Sequence, residues 1–121
     1  MPTEVDLTLT VEENGTPRPL DVQDLGDQVD DLSDGRKVVT TPGTAVAIAT
    51  STPCKWVLVT ALKTNTAQVN VGGSGVLAEA GSETGQPLAA GDGVTFPVSD
   101  VAFVYVDARV EGEGVTFTSG I

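Results

Sequence analysis

The chain is 121 residues long, enough for one domain with a core of its own and without a covalent staple. It has no histidine and one cysteine, Cys54, so the commonest general base and zinc ligand are missing and no disulfide can form within the chain. A net charge of −11 argues against binding nucleic-acid phosphates, and no apolar run approaches the length of a membrane span.

The charge is unevenly placed. Residues 1–35 hold ten acids against one base, Arg18, while residues 36–121 hold seven acids against five bases. The expected organisation is an acidic N-terminal arm, 1–35, followed by a nearly neutral body, 36–121. A solvated face is the plain reading of the arm. The sharper one is a segment that meets a basic patch on a partner. The opening MPTEVDLTLT is acidic where a secretory signal would be basic, so a soluble, reducing compartment is expected for synthesis.

In the arm, residues 4–12 alternate strictly. Val5, Leu7, Leu9 and Val11 face one way and Asp6, Thr8 and Thr10 the other, the period of a half-buried strand. NGTPRP follows with turn residues. Val22, Leu25, Val29 and Leu32 then fall at spacings of three, four and three. That is one helical stripe over residues 20–34, weakened by Gly26 and by aspartates near its C-terminal end, with Gly35 as its stop. A short helix and an irregular linker both fit it.

From residue 36 onward the chain reads as short strands between turns: 37–40, 45–50, 55–62, 67–71, 76–78, 87–89, 94–98, 101–110 and 115–119. Even spacing with Gly, Pro, Asp and Asn between the runs predicts an all-β antiparallel sandwich or barrel. In 55–62, Trp56, Leu58 and Leu62 oppose Val57, Val59 and Ala61. In 101–106, Val101, Phe103 and Tyr105 oppose Ala102, Val104 and Val106. Strands apolar on both faces imply either a covered outer face or loops lying over it. Pro97 restricts its strand to an edge or a bulge.

VNVGGSGV, residues 69–76, sets glycines after a strand, but no lysine or helix follows, so it reads as a turn and not as a phosphate cradle. The acids at 79, 83, 92, 100, 107, 111 and 113 sit mostly beside Gly or Ser, where solvated turn carboxylates are usual. No calcium-loop spacing occurs among them. Cys54 reads as a small core residue, and the five aromatics, all in predicted strands, read as core before sugar platform. No catalytic, cofactor-binding or metal-binding residue emerges, and no enzyme is expected.

CKWVLVTALKTNTAQVNVGGSGV and the later GQPLAAGDGVTFPVSDVAFVYVDARVEGEGVTF carry a recognisable order of turns and strands. Residues 36–121 resemble the small β-sandwich proteins encoded among the virion genes of tailed bacteriophages, which include capsid decoration (cement) and head-fibre proteins. The resemblance implies a jelly-roll-like sandwich on the outer head surface, made in the host cytoplasm. It implies a homo-oligomer, a trimer before a dimer, with the major capsid protein as partner and no cofactor or catalysis. On this reading Val5, Leu7, Leu9, Val11, Val22, Leu25, Val29 and Leu32 form the interface to the capsid or to a neighbouring subunit. The alternatives are a tail, baseplate or head-fibre component, and a carbohydrate-binding adhesion module.

Overall fold

A computed structural model describes residues 10–13, 16–19 and 29–121. The protein is all-β. β1 (Thr10–Glu13) and β2 (Thr16–Pro19) pair antiparallel as a hairpin, with Val11 opposite Arg18. The remaining strands are β3 (Leu32–Val38), β4 (Val46–Ala47), β5 (Trp56–Ala61), β6 (Val69–Gly72), β7 (Gln86–Leu88), β8 (Gly93–Phe96), β9 (Tyr105–Ala108) and β10 (Gly114–Gly120). They form two four-stranded antiparallel sheets, β3-β10-β5-β8 and β4-β9-β6-β7, as expected of a β-sandwich.

The pairing is nested. β3 pairs with β10, β4 with β9, β5 with β8 and β6 with β7, so first meets last and the innermost pair meets across the middle. Two further ladders, β10 with β5 and β9 with β6, join these pairs side by side. The result is one long hairpin of eight strands wound into two layers.

The core between the layers is built mainly from valine, whose branched side chain packs well on a pleated surface. Val57, Val59 and Ala61 of β5 face Val69, Val71, Val106 and Ala108 of the other sheet in one buried cluster with Val39, Ile48, Leu88, Val101, Val104 and Val115. Phe96 and Phe117 pack against its margin. Cys54 is buried, and its Sγ donates to the Val98 carbonyl at 3.2 Å. Burial, and secondarily the charge of Asp100, push its thiol pKa up, which suits a core residue and not a nucleophile. β8 is an edge strand and ends just before Pro97, as the proline requires.

Four sequence expectations change. First, TPRP is not a turn but β2. Asn14-Gly15, a strong hairpin dipeptide, stands between the two strands. Second, residues 32–35, assigned to the arm and its helical stripe, belong to β3 and to the body. Pairing with β10 overrides the helical spacing, and the ladder reaches further back, because Asp31 and Ile121 exchange backbone hydrogen bonds. Gly35 is no helix stop. A β-carbon there would lie 2.5 Å from Cζ of Phe117, whose ring covers it. Third, residues 76–78 form no strand. They lie in a loop in which Val76 and Ala78 are buried apart from the central core.

The fourth change concerns 101–106. Val101–Phe103 is a single 3-10 turn capped by Asp100, and it shifts the alternation by one. Val101, Val104 and Val106 are therefore all buried, while Phe103 is 61% exposed. The aromatics divide accordingly: Phe96 and Phe117 serve the core, Trp56 and Tyr105 are half-buried, and Phe103 faces solvent.

Candidate functional site

The outward face of the first sheet can be assembled row by row from the strand registers. Leu32, Gly120 and Trp56 stand side by side. The next row is Asp34, Thr118, Leu58 and Thr95, and the next Arg36, Thr116, Thr60 and Gly93. The face therefore runs from an apolar corner to a polar end. Leu32 is 58% and Leu58 39% exposed, and the exposed Ile121 follows Gly120 at the same corner. The sequence expectation that 55–62 is apolar on both sides is met. Val57, Val59 and Ala61 are buried, and Trp56 and Leu58 occupy the outward side.

Gly120 is the seat of this corner. A β-carbon there would lie 2.6 Å from Cγ1 of Val29 and 2.8 Å from Cε2 and Cζ2 of Trp56. The bare backbone lets the indole and the valine settle over β10, and Val29 is half-buried there. Of the predicted interface residues, the structure thus brings Val29 and Leu32 to one apolar corner. Val11 lies in the β1–β2 hairpin, and Val5, Leu7, Leu9, Val22 and Leu25 lie outside the described residues.

The outward face of the second sheet is roofed by loops that Asp107 holds, and two further acids, Glu113 and Asp100, fasten loops elsewhere. Asp107 is fully buried. Its Oδ1 accepts from the Gly43 amide at 2.9 Å and its Oδ2 from the Ala78 amide at 2.8 Å. Beside it, Asn70 is opposite Asp107 in register and donates to the Thr84 carbonyl at 2.8 Å. Gly85, with φ +76°, lets the loop return so closely that a β-carbon would lie 2.5 Å from the Val71 oxygen. The VNVGGSGV stretch ends in this roof. The Val76 amide bonds back to the Gly73 carbonyl, a turn that folds Val76 over Gly72.

Glu113 fastens the loop after β5. It accepts from the Thr66 amide at 2.6 Å, the Thr66 hydroxyl at 2.7 Å and the Ala67 amide at 3.2 Å. Burial alone would raise its pKa, but these donors outweigh burial and hold it below the ordinary glutamate value. Next to it, the Asn65 side chain donates to the Gly114 carbonyl at 2.9 Å and accepts from the Gly114 amide, as a neighbouring strand would.

Asp100 pins 51–52. The Ser51 hydroxyl, the Thr52 amide and the Ala102 amide all donate to it, and against a smaller opposing effect of burial they lower its pKa. A shallow cleft of about 450 Å³ lies between Pro42, Gly43, Glu79, Ala80, Ala108 and Arg109. Its cation is engaged: the Arg109 guanidinium bonds the Ala78 carbonyl and the Glu83 carboxylate.

Each of these acids accepts two or three hydrogen bonds from backbone or hydroxyl donors, most of them far along the chain, an arrangement that holds backbone and leaves no acid paired with a second acid. Among the described residues no three His, Cys, Asp or Glu side chains converge as metal ligands would. By sequence Glu113 sits among turn acids beside glycines, while Asp107 falls in the predicted strand 101–110. Only Asp107 carried a signal, its place inside an apolar strand where a solvated acid is out of keeping. Compared with known proteins, the chain matches no family model, and no curated protein or solved structure matches it significantly.

Proposed function

We propose that this protein is a structural component of a tailed-phage virion, a decoration protein that binds the outside of the head shell and braces contacts between capsomers. The observation that carries the reading is the nested strand order. First-with-last pairing wound into two four-stranded sheets supports the jelly-roll-like sandwich that the resemblance implies, an architecture used by viral capsid domains and lectins. The loop-holding use of Asp107, Glu113 and Asp100 agrees with a scaffold more than with an enzyme. In the mechanism, the arm adds a strand to an exposed edge of the major capsid protein. Backbone hydrogen bonds supply affinity, and the alternating Val5, Leu7, Leu9 and Val11 set register. The body then spans neighbouring capsomers.

The test is co-sedimentation with heads assembled from the capsid protein of the same phage. The full chain should bind saturably, and removal of residues 1–28, which spares β3 and the seat of Val29, should abolish binding. Failure of the full chain to bind overturns the decoration reading. Undiminished binding by the shortened chain overturns the role of the arm.

A second reading, a carbohydrate-binding adhesion module, draws on the exposed Phe103, since sugar rings stack on exposed aromatic faces. Binding on a glycan array that is lost in Phe103→Ala would favour it over the first.

A further inference from the structure

We infer that β3 is a pairing edge for a second copy of this chain, and that two molecules join their first sheets across a two-fold axis at Gly35. The two sheets have four edge strands, β3, β8, β4 and β7. An unpaired edge invites association, and proteins blunt it with shortness or proline. Three of the four are blunted in this way. β4 has two residues, β7 contains Pro87 and β8 is cut off after Phe96 by Pro97. β3 has seven residues and no proline, and among the described residues nothing pairs with its outer side. It is also exposed, at Leu32, Ser33, Asp34 and Arg36.

The backbone parity fixes which groups that edge offers. Asp31 and Ile121 exchange hydrogen bonds, so the odd-numbered residues of β3 point their amides and carbonyls at β10. Those of Leu32, Asp34, Arg36 and Val38 point outward, with the Leu32 amide partly occupied by the Asp31 side chain. A symmetric antiparallel pair must match outward-pointing residues with one another, so the two-fold axis passes through a residue and never between two.

Charge then selects the residue. An axis at 34 puts Asp34 against the Asp34 of the second copy, and an axis at 36 puts the two copies of Arg36 together. At Gly35 each Asp34 meets an Arg36 and each Leu32 meets a Val38, two ion pairs flanked by two apolar pairs. Gly35 has no side chain to crowd the axis, and the Phe117 ring already fills the space behind it. The assembly is a continuous eight-stranded sheet in a dimer, in place of the trimer that the phage resemblance implies. It does not depend on the virion reading.

The test uses the full chain in multi-angle light scattering across a dilution series. The expected result is a dimer–monomer equilibrium. Asp34→Arg places like charges opposite each other on both sides of the axis, and should weaken the dimer about tenfold or more. Asp34→Arg with Arg36→Asp restores opposite charges in the same register and should restore the dimer. Both side chains are exposed, and an unchanged urea midpoint under dilute, monomeric conditions shows that the variants fold. A chain that stays monomeric throughout overturns the inference. So does a trimer, or a dimer indifferent to Asp34→Arg.

Discussion

Removing the Asp107 carboxylate should unroof the second sheet and cost a large share of the protein's stability. In Asp107→Ala the amides of Gly43 and Ala78 lose their acceptor, and the Ala78 amide is buried where water cannot replace it. Each orphaned donor costs about 1–3 kcal/mol, and relief from burying a carboxylate returns part of that, so a net loss of about 3 kcal/mol is expected. With a urea m-value of about 1.5 kcal/mol per molar, the unfolding midpoint falls by about 2 M. The chain's single tryptophan, Trp56, stands on the other sheet, so its fluorescence reports global unfolding and not the local change. Asp107→Asn keeps the shape and can accept from only one of the two amides, turning a donor toward the other. It should fall about halfway between. Hydrogen exchange should quicken selectively at Gly43 and Ala78. A midpoint for Asp107→Ala within about 0.5 M of the parent, or Asp107→Asn behaving as the parent does, would refute the reasoning.

Gly114→Ala should be more damaging than an ordinary strand substitution. Its β-carbon would lie 2.0 Å from the Lys37 oxygen and 2.7 Å from the Val38 α-carbon, backbone that cannot rotate away. A loss of about 3 kcal/mol or more, and a melting temperature lower by about 10 °C or more, is expected by calorimetry; a drop of a degree or two would mean that β3 and β10 part easily. Acid should destabilise the fold through Asp100 and Glu113. Their folded pKa values lie below the ordinary 3.8 and 4.5, so the stability they contribute is complete above those values and is lost as pH falls through the lowered ones. Glu113→Gln should flatten the acid limb of a stability–pH curve below pH 4.5, and an unchanged limb would remove Glu113 from the account.

Strand positions were legible where period and burial agree. Val57, Val59 and Ala61 announce an inward face by alternation alone, and Pro97 announces an edge by its missing donor. The misreadings share a cause, which is that partners distant in sequence decide local form. Residues 32–35 carry a serine, an aspartate and a glycine, poor strand formers, and only β10 makes them a strand. The 3-10 turn at 101–103 is set by the Asp100 cap and cannot be seen in an apolar run. Leu32 and Val29 were singled out as one side of a helix, three residues apart. They do share an apolar corner, but because Gly120 leaves room for Val29 and faces Leu32 across the ladder. Asp107 and Glu113 were undervalued because composition ties acids to solvent, whereas their donors belong to loops far along the chain.

The nested pairing also sets a timetable. Contacts in the first sheet join the start of the body to its end, so loop closure must be completed over nearly the whole body before β3 gains its partner. During synthesis β6 and β7 can meet early, since little chain separates them, and β5 can meet β8 soon after. β10, made after the other strands of both sheets, supplies the strand between β3 and β5. Until it emerges, β3 has no sheet to join, the rim that Gly120 later occupies is missing, and a seven-residue strand stays open to any neighbour. A protein of this topology folds slowly, and its most vulnerable moment on a crowded ribosome is the interval just before residues 114–120 arrive.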